Sequence, residues 1–241
     1  MERLDKLIAS MGQYSRRDVA RLVRAGRITV DGSAARGPDL KCDPQAAQIA
    51  IDGQPLAYTR YTDLMMHKPA GVLSATEDCH SRTVLDLLPP ELQKRGLFPV
   101  GRLDRDTEGL LLLSNDGPLA HALLSPKHHV DKVYYAQVDG TLDETDVAAF
   151  AAGMTLADGL VCMPAGLEPL EDGACLVTLH EGKFHQVKRM LAARGAPVRY
   201  LKRLRMGPLV LDEALLPGEY RPLTPEESRQ LRQAVNRTEV D

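Results

Sequence analysis

Residues 100–117 read Val-Gly-Arg-Leu-Asp-Arg-Asp-Thr-Glu-Gly-Leu-Leu-Leu-Leu-Ser-Asn-Asp-Gly, and no other stretch limits the possible folds as much. Leu110 to Leu113, bounded by Gly109 and an Asn115-Asp116-Gly117 turn, read as a strand buried on both faces. Immediately before it Arg102, Asp104, Arg105, Asp106 and Glu108 crowd together. Charges beside a core strand are costly to desolvate unless paired. They therefore form either a salt-bridged surface turn or a carboxylate held at the edge of a pocket. Spacing alone leaves open a nucleophile, a general-acid pair and a metal-binding Asp-x-Asp.

The second constraint is charge patterning. Lys183 to Arg205 holds eight basic residues and no acid, whereas Thr141 to Leu176 holds seven acids and no base. A formal net charge of −3 thus hides a chain able to present a basic face, as a nucleic-acid partner requires. Within the basic run Glu181-Gly182 marks a turn, and a helix follows that buries Val187, Met190 and Leu191 and ends at Gly195. His185 and Arg189 lie at i and i+4, with Lys188 adjacent. Arg199 to Arg205 alternates like a strand with its positive charge on one side. A two-carboxylate glycosidase, or a phosphotransferase holding Mg²⁺ on Asp104 and Asp106, leaves this basic segment without a role.

The first sixty residues have a pattern of their own. Leu4, Leu7, Ile8 and Met11 predict a helix ended by Gly12. Ser15-Arg16-Arg17-Asp18 is a capping box opening a second helix, with Val19, Leu22 and Val23 buried and Gly26 at its end. Ile28–Val30 runs as a strand into Asp31-Gly32, and Ile49–Ile51 into Asp52-Gly53. Residues 1–36 hold eight Arg/Lys against four acids. Over about residues 2–58 this unit resembles the alpha-L RNA-binding domain of small-subunit ribosomal protein four. The resemblance implies RNA docking through Arg3, Lys6, Arg16, Arg17, Arg21, Arg24 and Arg27, by phosphate contacts that supply affinity and little sequence choice. A polar link near Tyr58–Arg60 leads to a strand and a Pro-Ala-Gly turn over 61–71, placing the two domains at 1–59 and 60–235.

Other classes drop out. No stretch approaches the roughly 18 apolar residues of a membrane span, and the first residues, Met-Glu-Arg-Leu-Asp, are charged where a secretion signal is apolar. A soluble, cytoplasmic chain without a membrane partner is expected, and nothing asks for an obligate dimer, so a monomer is expected too. Cys42, Cys79, Cys162 and Cys175 show no C-x-x-C spacing and read as reduced thiols. No metal site is expected: Cys79-His80 lacks a second ligand pair, and the adjacent His128 and His129 suit RNA contact or local packing better than chelation.

Several motifs in order resemble the RsuA branch of the pseudouridine synthases across almost the whole chain. They are Gly101-Arg-Leu-Asp-Arg-Asp-Thr-Glu-Gly-Leu110, Ser125-Pro-Lys-His-His129 followed by Lys132-Val-Tyr134, Glu181 to Met190, and Pro217 to Thr224. The resemblance implies an α+β fold: the small RNA-binding domain plus a catalytic domain with a mixed, largely antiparallel sheet flanked by helices. It implies isomerisation of a ribosomal RNA uridine without any cofactor. The Ser-Pro-Lys-His-His form points to small-subunit (16S) RNA, free or in an assembling subunit. A large-subunit target and a catalytically silent RNA-binding assembly factor are the alternatives. Asp104 becomes the catalytic carboxylate, Tyr134 the residue against the target base, and Lys188 the cation that keeps Asp104 charged where burial alone would raise its pKa. Arg102, His185, Gln186 and Arg189 are assigned to substrate binding. One departure from the family pattern, His67 before Lys68-Pro69-Ala70-Gly71 where asparagine is common, leaves His67 without a role.

Overall fold

Leu4, Leu7 and Ile8 are fully buried along helix α1 (Leu4–Ala9), but the helix stops short of Met11. Gly12 takes φ +83°, and a Cβ there would lie 2.1 Å from the Glu91 carbonyl oxygen. It is therefore a close-approach glycine as well as a stop signal. Helix α2 (Arg16–Arg24) opens on the expected capping box, with Ser15 Oγ accepting from the Asp18 N–H and the Asp18 carboxylate accepting from the Ser15 N–H. Strands β1 (Ile28–Val30), β2 (Ser33–Ala34), β3 (Ile49–Ile51) and β4 (Gln54–Pro55) pair antiparallel in the order β2-β1-β3-β4. Asp31-Gly32 and Asp52-Gly53 turn the hairpins with both residues at positive φ, the backbone that matches the twist of two-residue loops. Val19, Leu22, Ile28, Ile49 and Ile51 close one core with α1.

The computed structural model describes residues 1–44, 46–56, 58–125 and 130–236. Met1–Thr62 and Leu85–Leu97 make one compact unit, and Asp63–Val84 with the chain from Phe98 onward makes the other. The division therefore differs from a single cut at 59/60. Residues 85–97 join the first unit, where Arg95 donates to the Thr59 carbonyl at 3.0 Å and Glu91 lies over Gly12. Nothing in the local sequence pattern of 85–97 encodes that excursion.

The second unit is built on strands β5 (Asp63–Lys68), β6 (Glu108–Ser114), β7 (Lys132–Val138), β8 (Gly166–Pro169), β9 (Ala174–Leu179), β10 (Val198–Met206) and β11 (Tyr220–Pro222). Their order is β8-β9-β7-β10-β6-β5-β11, and every neighbouring pair is antiparallel except β10 with β6. This is the mixed, largely antiparallel sheet of the α+β expectation. Leu110 to Leu113 are all completely buried. Helices α3 (Gly117–Leu124), α4 (Glu144–Ala152), α5 (Gln186–Ala193) and α6 (Pro225–Asn236) accompany the sheet. Leu119 and Leu123 of α3 and Leu231 and Val235 of α6 share one core with Met65, Leu110 and Leu112. Asn115-Asp116-Gly117, expected only as a turn, is the start of α3: Asp116 accepts from the Leu119 N–H at 3.2 Å.

Strand β10 departs from the expected one-sided charge. Its positive side chains do not all line one outer face, because Arg203 is only 2% exposed. It lies in register with Tyr134 on β7 and with Gly109 on β6. A Cβ on Gly109 (φ +106°) would come within 2.3 Å of the Arg203 carbonyl oxygen, so glycine is what lets β6 run beside β10.

Asp5 ties the first unit together: buried, it meets Arg3 at 3.0 Å and Arg16 at 2.9 Å. The Arg3 hydrogen bonds above all, then those from Arg16 and the Lys6 N–H, outweigh its burial and hold its carboxyl at about 2 rather than 3.8. A depressed folded pKa contributes stability that is complete above about pH 4 and lost as pH falls through about 2. Asp5→Asn should therefore flatten the acid limb of stability between those values, measured by circular dichroism on the full chain.

Candidate active site

Lys68, the last residue of β5, is completely buried. Its Nζ donates to the carbonyl oxygens of Thr107 (2.9 Å), Asp104 (3.0 Å), Pro69 (3.0 Å) and Arg105 (3.3 Å). Three N–H donors thus serve four acceptors, and loop 104–107 wraps an ammonium. Burial draws the Lys68 pKa down to about 8, against the raising effect of Asp106, Asp104 and Glu108, so the group stays protonated at neutral pH. Ser74 Oγ completes the support, accepting from the Leu103 N–H (3.1 Å) and donating to the Leu103 carbonyl (2.9 Å). His67, the departure from the family pattern, is buried with Nδ1 2.7 Å from the Leu215 carbonyl oxygen, which is a packing contact.

The other wall comes from the Glu181–Lys188 turn and α5. Glu181 and Gln186 are buried and joined through Gln186 Nε2 to Glu181 Oε1 at 2.6 Å, while Gln186 Oε1 accepts from the Lys183 N–H. Both polar ends of the Gln186 amide therefore hold the turn, although the residue also lines the pocket. His185 precedes the helix in the left-handed region (φ 51°, ψ 31°), a strained position for a residue with a Cβ, and its local sequence carries no sign of it. That backbone brings its Nε2 to 3.5 Å from Asp104 Oδ1. Lys188 Nζ lies 3.2 Å from Asp104 Oδ2 and 2.5 Å from Asp106 Oδ1. One ammonium thus bridges two carboxylates, and it holds the Asp106 carboxyl below the ordinary carboxylate range.

Arg102, Asp104, Tyr134, His185, Gln186 and Lys188 border one pocket, whereas Arg189 is not among its lining residues. Arg189 instead pairs with Asp158. Tyr134 is 8% exposed and the Asp104 side chain 26%, so the carboxylate borders the cleft while the tyrosine is largely enclosed. Phe184, a residue that the sequence pattern does not single out, is 75% exposed and stacks on the His185 ring with centroids 3.8 Å apart. It borders a wider cleft of about 590 Å³ that also meets Asp104 and Arg105. As the one Phe, Tyr or Trp between Glu181 and Met190, it carries the one signal that could have marked it.

In the first unit four of the seven residues assigned to RNA are engaged internally or locally. Arg3 and Arg16 hold Asp5, Arg27 pairs with Asp52, and Arg21 with Asp18. Among the described residues Lys6, Arg17 and Arg24 carry no ion pair. His128 and His129 lie outside the described residues. Cys42, Cys162 and Cys175 are buried free thiols and Cys79 an exposed one. Among the described residues no three His, Cys, Asp or Glu side chains are grouped to hold a metal ion, and no helix is long and apolar enough to cross a membrane.

The bridging geometry predicts how Asp106 titrates. With Lys188→Met, the Asp106 carboxyl should move up toward the ordinary carboxylate range, because the contact that lowers it most is removed. Side-chain carboxyl ¹³C shifts followed against pH read this directly.

Comparison with known proteins agrees with the motifs. Residues 62–193 match the RNA pseudouridylate synthase family, and residues 2–46 match the S4 domain. The chain is 47% identical over 229 residues to an uncharacterized RNA pseudouridine synthase of Bacillus subtilis (strain 168), covering 93% of this chain and 96% of that one. It is 41% identical to the ribosomal small subunit pseudouridine synthase A of Escherichia coli (strain K12), covering 93% and 97%. A crystal structure of a pseudouridylate synthase superposes with a TM-score of 0.68 at 35% identity, covering 96% of this chain and all of that one. The chain belongs to the RNA pseudouridylate synthase family, carrying an S4 domain ahead of the synthase domain.

Proposed function

We propose that this chain isomerises a uridine of small-subunit (16S) ribosomal RNA to pseudouridine, with Asp104 as its catalytic carboxylate. The observation that carries the reading is the Asp104 carboxylate, gripped by Lys188 at 3.2 Å and bordering the same pocket as Tyr134 and His185. The reaction breaks the bond from the ribose to the base nitrogen, turns the uracil, and rejoins it through ring carbon 5, which gives up its proton while the nitrogen gains one. Nothing is oxidised and no group is consumed, so this chain's own residues suffice.

Asp104 meets the sugar as an ionised carboxylate, either bonding to it or stabilising positive charge that develops there. Lys188 sets a positive charge 3.2 Å from that carboxylate, and Lys68 holds its backbone from behind. Tyr134, on the wall of the same pocket, lies against a base drawn out of its stack and takes part in proton transfer. Arg102 and His185 bind the nucleotide near the carboxylate. Gln186 acts by holding the turn, and Arg189 by anchoring α5 to Asp158, so both are positioning residues. The chain acts as a monomer on RNA that is free or part of an assembling subunit, and its S4 domain docks that RNA with Arg17, Arg24 and Lys6 as its phosphate contacts and the remaining arginines helping.

Three measurements test this. Tritium release from RNA labelled at uridine carbon 5 should fall at least about 10³-fold in Asp104→Asn, while a deletion strain should lose one pseudouridine of 16S RNA. Release unchanged by the substitution removes Asp104 from its role, and loss of a large-subunit pseudouridine instead reassigns the target. Replacing Arg17, Arg21 and Arg24 together should flatten the slope of log affinity against log salt by roughly 0.7 to 0.9 for each phosphate that the variant no longer neutralises.

A further inference from the structure

Lys68 answers its burial with four carbonyls, but two other buried cations of the second unit do not. Lys132 is 6% exposed and its Nζ meets one carbonyl, that of Val130 at 3.0 Å. Arg203, 2% exposed, gives Nε to the Leu110 carbonyl at 2.8 Å, and its enclosed Nη2 has no hydrogen-bond partner among the described residues. Neither has a carboxylate within ion-pair distance among those residues. They are also neighbours: burial lowers the Lys132 pKa, the Arg203 charge lowers it further, and Asp131 offsets this only in part. Two desolvated like charges side by side are unfavourable unless something negative joins them.

Both residues border a cleft of about 460 Å³ whose described lining includes Arg102 and Tyr134 and no acid. Arg102 and Tyr134 also border the pocket of Asp104, so the two spaces share a wall. Tyr134 and Arg203 are register partners on adjacent strands, which ties the cation to the ring by backbone hydrogen bonds.

We propose that this second cleft is an anion site, formed by Lys132, Arg203 and Arg102, that takes a phosphate group of the nucleotide whose ribose meets Asp104. Charge-assisted hydrogen bonds from the two buried cations suit a phosphate oxygen and read no base. Such a contact sets how far the nucleotide enters and leaves the choice of uridine to the other pocket. The source of the phosphate rests on the isomerase reading; the anion site itself does not.

The full chain, titrated at constant ionic strength in chloride with inorganic phosphate, uridine 3′-monophosphate, uridine 5′-monophosphate and uridine, provides the test. Side-chain nitrogen signals of Lys132 and Arg203 are followed by NMR, with the exposed Lys94 as reference. Phosphate should shift both signals saturably and raise the Lys132 pKa, one nucleotide should bind on the order of tenfold tighter than phosphate, and uridine should do neither. Lys132→Met should abolish the Arg203 response while the amide spectrum stays folded, with Lys132→Gln as a second variant. Shifts no larger than those of Lys94, or a Lys132 pKa indifferent to phosphate, overturn the site. Failure of both variants to fold overturns it as well, since Lys132 would then be structural. Equal affinity for phosphate and both nucleotides overturns the nucleotide as its source. Loss of tritium release with an intact phosphate response would sink only the isomerase reading.

Discussion

A single buried ammonium organises the site. Loop 104–107 turns backbone carbonyls toward the buried Lys68 side chain, and enclosed carbonyls are costly to leave unpaired. Lys68 supplies the donors for three of them and for Pro69, so the same contact satisfies the backbone and aims the Asp104 side chain outward. The positive charge has a second effect. It lies behind a cluster of acids, Asp104, Asp106 and Glu108, that would otherwise repel one another next to a strand of four buried leucines. Coulomb attraction and hydrogen bonding act in the same direction, and that agreement makes a lysine tolerable in the core.

On the solvent side Lys188 performs the complementary task, with its contacts divided unequally. At 2.5 Å it is closer to Asp106 than to Asp104 at 3.2 Å. Asp106 is the more exposed of the two, its side chain 76% exposed against 26%. The exposed acid thus takes the tighter contact and holds the ammonium in place, while the acid facing the pocket keeps a looser one.

What is legible in the sequence follows from what local patterns encode. Four leucines in a row have no polar face to expose, and Leu110 to Leu113 could only be an interior strand. Ser15 with Asp18, and the Asp-Gly turns after β1 and β3, are short-range devices whose geometry is set by neighbouring residues. The pairing of Asp104 with Lys188 joins positions 84 residues apart, and the family motifs, not the spacing, bring them together. Lys68 escapes notice because a lysine is ordinarily a surface residue, and its four acceptors lie up to 39 residues away along the chain. The excursion of 85–97 into the first unit is likewise set by distant partners, Gly12 and Thr59 among them, which no window of sequence contains.

The charge pattern is informative as a distribution and incomplete as a surface. Of the eight bases between Lys183 and Arg205, six are paired: Arg189 and Arg194 with Asp158 and Asp146 of the acidic run, Lys183 with Glu181, Lys188 with Asp104 and Asp106, Arg199 with Asp139, and Arg205 with Asp131. Much of the apparent basic face is therefore already paired with acids, several of these pairs lying at the surface. Pairing removes long-range attraction for a polyanion but supplies rigidity. Three cations without a carboxylate partner among the described residues, Arg102 at the rim and Lys132 and Arg203 inside, are grouped around Tyr134. Positive charge is thus concentrated at one place on a chain whose net charge is −3.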